Sequence, residues 1–504
     1  MTDFQAMIFD KKRKIMTSPN QHSSHKPNSD EHASKLTLDT DFMGDSNDKT
    51  PSGVITKDAI KGMIIFAVTA IICIVLYQVM PFGTDVNKGL TILIFIGTLW
   101  LTEAIHVTAT AILVPILAVL FGVPEFDTKQ ALANFAHPII FVFFGGFALA
   151  AALHVQKLDR KIAFGLVKLA GGKLGLAVFY IFFATAILSM WISNTATAAM
   201  MLPLALGLLG QIDKEKDRST FLFVLLGIAY CASIGGLGTM IGSPPNGIAA
   251  KALELSFIEW MKFGVPMMLV MLPILLGAMY VFLKPNLKQN VVINDEVIPW
   301  TPSRILTIVV FVATALSWIF GKQLGEMFAF KSPDTIIALA AAVAVLGCGL
   351  VSWKQVSDNT DWGVLMLFGG GIALSEVMKT SGASALLGEQ IANALSVAPI
   401  FVVILAITAF IIFLTEFTSN TASAALLVPL FAPIGVQLGL PPEALIMVIG
   451  IGASCAFMLP VATPPNAIVM GTGYIKQKEM MQVGLILNFI SIAIVTIWAF
   501  FFLR

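Results

Sequence analysis

From residue 62 to the end of the chain, apolar stretches of about twenty residues, the length that spans a bilayer, follow one another with almost no charge inside them. A charge at the bilayer centre costs ~2.5–3.5 kcal/mol even on the lower scales, whereas a water-facing surface requires such groups. The runs lie near 62–81, 89–104, 107–123, 138–155, 303–320, 335–352, 362–378 and 482–503. Longer, interrupted stretches fill 174–210, 221–283, 398–440 and 443–475. Charged residues are only 12% of the 504, and 18 of the 61 fall within residues 1–61. With 31 Lys+Arg against 30 Asp+Glu there is no basic surplus for a nucleic acid. The chain beyond residue 62 reads as an all-α polytopic membrane protein embedded in a lipid bilayer.

Residues 1–58 are polar and without helical or strand period, which reads as a disordered cytoplasmic tail, with Met43 an alternative start that would make the tail dispensable. The first apolar run begins some sixty residues in and is a full span, so it reads as a retained helix (62–81) and not a secretory signal. Cys73, Cys231, Cys348 and Cys455 stand singly, without the spacing of a disulfide framework or a zinc site.

The interruptions share Ser, Asn, Thr, Gly and paired prolines, and they recur in order. Ser193-Asn194-Thr195-Ala196-Thr197-Ala198-Ala199 returns as Ser419-Asn420-Thr421-Ala422-Ser423-Ala424-Ala425, 226 residues on. Gly242-Ser243-Pro244-Pro245-Asn246 returns as Ala462-Thr463-Pro464-Pro465-Asn466, 220 on, and Phe144-Gly145-Gly146 as Gly369-Gly370-Gly371, 225 on. This is a duplication of 89–283 onto 303–504, joined by a cytoplasmic linker at 284–302. Each half supplies five crossings, a re-entrant hairpin and a broken helix, so the second repeat has inverted topology and the total is about eleven transmembrane helices. With the N-terminus in the cytoplasm, the inner segments hold 23 of the 31 Lys+Arg. That agrees with the positive-inside rule and leaves the C-terminus outside.

Helix-breaking backbone at membrane depth is tolerated where it is buried in protein or lines a cavity. Ser, Asn and Thr cap helix N-termini, so each Ser-Asn-Thr is read as a hairpin tip where one helix ends and another begins. Ser243-Pro244 and Thr463-Pro464 read as a cap followed by a helix start, since proline suits the first helical position. A helix N-terminus favours an anion by ~2 kcal/mol at most, less than the several kcal/mol needed to take an ion out of water. No Lys or Arg lies in these motifs or their close flanks. An anion held here needs co-bound cations, so the residues themselves point to cation-coupled anion uptake. A lone Ser-Asn-Thr in a membrane helix would be interhelical hydrogen-bond glue. Its duplication, each copy with a proline partner, is what points to a site.

These paired motifs resemble the signature of the divalent-anion:sodium symporters, in their bacterial dicarboxylate branch, over about residues 60–504. The resemblance implies a homodimer in the cell's inner (plasma) membrane. A static scaffold part would flank a transport part that slides the site across the bilayer as an elevator. It implies a first Na⁺ on Ser189, Ser193 and Asn194 with backbone from Gly242, and a second on Thr415, Ser419 and Asn420 with backbone from Thr418 and Ala462. Substrate carboxylates would meet Asn194, Thr195, Ser419, Asn420 and Thr421, with Ser243, Thr463 and Pro464 lining the site. The expected function is Na⁺-coupled symport of a C4 dicarboxylate such as succinate, with Na⁺ as the co-transported ion, no organic cofactor and no enzymatic activity. Citrate or sulfate transport, or a Na⁺/H⁺ antiporter of related architecture, are the alternatives.

Glu103, Glu376 and Glu416 lie in or near apolar runs, where an ionisable residue is a functional hypothesis by default. Glu416, three residues before the second tip, is read as a structural partner or, in an antiporter, a proton carrier. His106 and His137 have no second metal ligand nearby in sequence.

Overall fold

The computed structural model describes residues 57–293, 297–329, 331–395 and 398–502. The tail expected at 1–58 therefore lies outside the described residues up to position 56. In the first half the helices are α1 (Lys57–Val79), α2 (Thr84–Thr102), α3 (Val107–Leu120), α4 (Thr128–Ala133), α5 (Pro138–Val155), α6 (Leu158–Lys168), α7 (Leu174–Ser189), α8 (Asn194–Leu209), α9 (Arg218–Gly235), α10 (Pro244–Ala252) and α11 (Phe257–Leu283). The second half continues with α12 (Pro302–Ile319), α13 (Gly321–Phe328), α14 (Pro333–Gly347), α15 (Trp353–Asn359), α16 (Trp362–Thr380), α17 (Ala383–Leu395), α18 (Ile400–Leu414), α19 (Asn420–Gln437), α20 (Pro442–Gly452), α21 (Pro464–Gly471) and α22 (Gln477–Phe502).

Eight helical stretches among the described residues are long and apolar enough to cross a bilayer, and α13 with α14 form a ninth candidate, bent by 95°. Five shorter apolar helices accompany them, the hairpin arms α7, α8 and α18 included. The protein is an all-helical membrane protein. Exposed apolar side chains crowd α1, where Met63, Ile64, Ile71 and Val79 point outward, as a lipid solvent permits. Among the described residues of 284–301 there is no helix, and Lys173 at the start of α7 pairs with Asn290 in an isolated antiparallel bridge.

Packing between the halves follows the sequence repeat. First-half α5 lies on second-half α14, and its counterpart α16 lies on first-half α3. Both contacts depend on glycine. A Cβ at Gly145 would sit 2.4 Å from the carbonyl oxygen of Ala338, and one at Gly370 would sit 2.6 Å from the Cα of Ala111. Without a strong hydrophobic drive between helices in lipid, such close backbone approach supplies the dispersion contact. Nearer the site the exchange recurs: α8 packs on α21 and α19 on α10. Each hairpin is thus seated on the broken helix of the other half.

Candidate functional site

Each tip is made by the same local rule. Helix α7 ends at Ser189, the chain turns through 190–192, and Ser193 caps α8 by accepting the N–H of Ala196 at 3.2 Å. Helix α18 ends at Leu414, and Ser419 caps α19 by accepting from Ala422 at 3.4 Å. Just ahead of each cap, a buried hydroxyl meets the asparagine that follows the cap. Ser189 Oγ is 2.6 Å from Asn194 Oδ1 and 2.7 Å from the carbonyl oxygen of Ala232. Thr415 Oγ1 is 2.5 Å from Asn420 Oδ1 and 3.0 Å from the carbonyl oxygen of Ala453.

One hydroxyl proton serves two acceptors in each cluster. In the first, the same amide position of Asn194 is also 3.0 Å from Ala232 O and 3.2 Å from Gly242 O. Turned to present its NH₂, Asn194 would donate to all three neighbours. Turned to present oxygen, it completes a ring of four oxygens with a single proton among them. Carbonyl oxygens of unwound segments and of helix C-terminal ends hold Na⁺ in broken-helix transporters; with the hydroxyl and amide oxygens beside them, the residues present fit that ion.

The breaks are held by their asparagines. Asn246 Nδ2 donates to the carbonyls of Gly236 and Thr239, both at 2.8 Å. Asn466 Nδ2 donates to those of Ala456 and Leu459, at 3.1 and 3.0 Å. All three positions differ by 220, so this is one device made twice. A third unwound carbonyl is tied by an aromatic donor in each half, Trp260 Nε1 to Leu237 O at 3.0 Å and Tyr230 Oη to Phe457 O at 2.8 Å. Thr239 Oγ1 adds a bond to Met190 O, stitching the first break to the first tip.

The structure brings Ser189, Asn194 and Gly242 together, and Thr415 with Asn420. It adds the carbonyls of Ala232 and Ala453, which carry no side-chain signal in a sequence. Other expected residues sit differently. Ser193 and Ser419 are engaged as caps, and the Thr418 hydroxyl turns to Ser423 Oγ at 2.6 Å and Leu414 O at 3.0 Å. Thr195 and Pro464 are exposed, while Thr421 and Ala462 are buried. Thr463 caps α21 as expected, accepting from Asn466 N at 3.3 Å. Ser243 does not cap α10. The Asn246 N–H bonds the Ser243 carbonyl at 3.1 Å instead, which leaves the hydroxyl free to meet Ser454 Oγ of the second half at 3.2 Å.

Glu416 is fully buried. Oε1 accepts from the N–H groups of Phe457 and Met458 at 2.7 and 2.9 Å and from Asn488 Nδ2 at 2.7 Å, and Oε2 accepts from Leu459 N at 3.0 Å. Its partners are therefore the second break and Asn488 of α22, not a basic side chain.

Paired hairpin tips and broken helices, gathering uncharged oxygens inside an all-helical membrane protein, define a secondary transporter. The chain belongs to the family described as the sodium:sulfate symporter transmembrane region, whose model matches residues 60–503. It is therefore a sodium-coupled transporter of the divalent-anion symporter family. An uncharacterized transporter of Haemophilus influenzae is 53% identical over 450 residues, covering 88% of this chain and 97% of that protein. A sodium-dependent dicarboxylate transporter, SdcS of Staphylococcus saprophyticus, is 34% identical over 451 residues, covering 82% and 86%. Among solved structures, the Alcanivorax borkumensis YdaH transporter aligns with a TM-score of 0.54 at 15% identity, covering 78% of this chain and 98% of its own. That likeness concerns the fold.

Proposed function

We propose that this protein imports a C4 dicarboxylate such as succinate together with Na⁺. The observation that carries the reading is the pair of oxygen clusters, Ser189–Asn194–Ala232–Gly242 and Thr415–Asn420–Ala453, in segments without Lys or Arg. Two Na⁺ ions there would supply the positive charge that helix ends alone do not. The carboxylates would lie between the tips, against Asn194, Thr195, Asn420 and Thr421, with Ser243, Thr463 and Pro464 beside them. The name of the staphylococcal relative supports a dicarboxylate, and the family description names sulfate. The four N–H donors around Glu416 favour a structural anion over the proton carrier that an antiporter would need.

The rest of the reading follows from this assignment. In this reading the chain forms two inverted repeats, 89–283 and 303–504, with its N-terminus in the cytoplasm, and works as a homodimer in the plasma membrane. The site crosses by an elevator movement. Purified protein in liposomes should take up succinate only with an inward Na⁺ gradient, and uptake indifferent to Na⁺ would overturn the reading. Competition by sulfate, citrate and monocarboxylates in the same assay separates the divalent anions.

A further inference from the structure

The two tips share their hydroxyl, asparagine and carbonyl oxygens, yet one charge separates them. At the offset of 226, Glu416 corresponds to Met190. The Met190 side chain packs beneath Gly238, where an added Cβ would meet its Cε at 2.8 Å. Glu416 instead presents a carboxylate to three consecutive backbone N–H groups, 457–459, and to Asn488. Four N–H donors, with no acceptor facing it among the described residues, suit an ionised carboxylate, which can only accept. No ion pair with Glu416 occurs among the described residues.

The carboxylate is adjacent in the chain to the second oxygen cluster and is bonded to the break that follows it. Glu416 follows Thr415, whose hydroxyl belongs to that cluster. Its amide partners form the unwound segment whose carbonyls, Ala456 and Leu459, are held from the other side by Asn466. The first cluster has only neutral groups in the corresponding places.

Resting on the Na⁺-coupled reading above, we propose that Glu416 is a positioning residue that makes the two cation sites unequal. It fixes the second break against the second tip and gives that site a standing negative charge. The second site therefore holds Na⁺ more tightly than the neutral first site.

The test is thermal stabilisation of the purified full chain by NaCl, against choline chloride at equal ionic strength, without and with succinate. Glu416→Gln keeps the shape and one acceptor oxygen but removes the charge. In the absence of succinate it should raise the Na⁺ concentration for half-maximal stabilisation about tenfold or more, the scale of one charge acting over several ångströms in protein. Glu416→Asp should recover most of that shift. A merely structural role would lower the melting temperature in choline and leave the Na⁺ midpoint in place, and that result overturns the proposal. Should Glu416→Gln not fold, the sites themselves decide. Asn194→Ala should keep substrate-free stabilisation by Na⁺ and Asn420→Ala should lose it, whereas equal losses or the reverse order overturn the proposal. If the wild-type protein itself shows no Na⁺ stabilisation, the transport reading fails. If it does and the variants do not differ as stated, only the inequality of the sites fails.

Discussion

At the first tip Trp191 packs parallel to Phe257 and Trp318, with ring centroids 6.1 and 6.5 Å away, and meets Phe311 edge-on at 5.1 Å. At the second tip its counterpart Phe417, likewise two residues ahead of the capping serine, is 72% exposed. The hydrogen bonds that shape the two tips are nearly the same, but their surroundings are not. What the duplication preserves is the oxygen chemistry and the ties on the breaks. What it leaves free to differ is what each tip rests against. Two half-sites that serve one ligand, as proposed above, need the oxygen chemistry to be fixed and permit the supports to vary.

The most severe way to break this comparison is to put a fixed anion into one tip at a time. Asn194→Asp and Asn420→Asp should each lower succinate uptake about 100-fold, the factor given by ~2.7 kcal/mol of repulsion between a buried carboxylate and a substrate carboxylate. Uptake of labelled succinate by proteoliposomes reads both variants. Equal losses support a shared site, and wild-type uptake in either variant removes that tip from it.

The surroundings can be tested on stability alone. Trp191→Ala removes a ring stacked in the protein and should cost ~3 kcal/mol, the usual size for a packed aromatic. Phe417→Ala removes a ring that touches little and should change stability by no more than ~0.5 kcal/mol. Thermal unfolding of the two purified variants side by side gives the comparison. Equal costs would mean that the two tips rest on protein alike.

Much of this was legible in the sequence for definite reasons. The apolar runs, the tips at Ser193 and Ser419 and the helix starts at Pro244 and Pro464 follow from local rules of hydropathy and capping, and the structure has them. The tie made by Asn246 and Asn466 was visible only as a repeated residue, because its partners are backbone carbonyls ten and seven residues earlier in the chain. Ala232 and Ala453 were invisible for the same reason, since a carbonyl looks alike at every position. The seating of each hairpin on the other half's broken helix is long-range packing that no local pattern encodes. The contrast of Met190 with Glu416 could be read off the aligned repeats, yet its meaning appeared only when the carboxylate was found on the amides of 457–459.

The smallest effect concerns the one place where the two proline motifs part. Thr463 spends its hydroxyl on its own helix, whereas Ser243 turns its hydroxyl toward Ser454 of the other half. Thr463→Ala should therefore cost ~1 kcal/mol, the value of a lost cap, whatever stands at position 454. Ser243→Ala should be felt through Ser454. A double-mutant cycle between Ser243→Ala and Ser454→Ala should give a coupling of ~0.5–1 kcal/mol, the net worth of one buried hydrogen bond. The same cycle between Thr463→Ala and Ser454→Ala should give none. Coupling in the second cycle but not in the first would mean that the halves are held together through α21 and not through the Ser243–Ser454 pair, and the asymmetry between the motifs would run the other way.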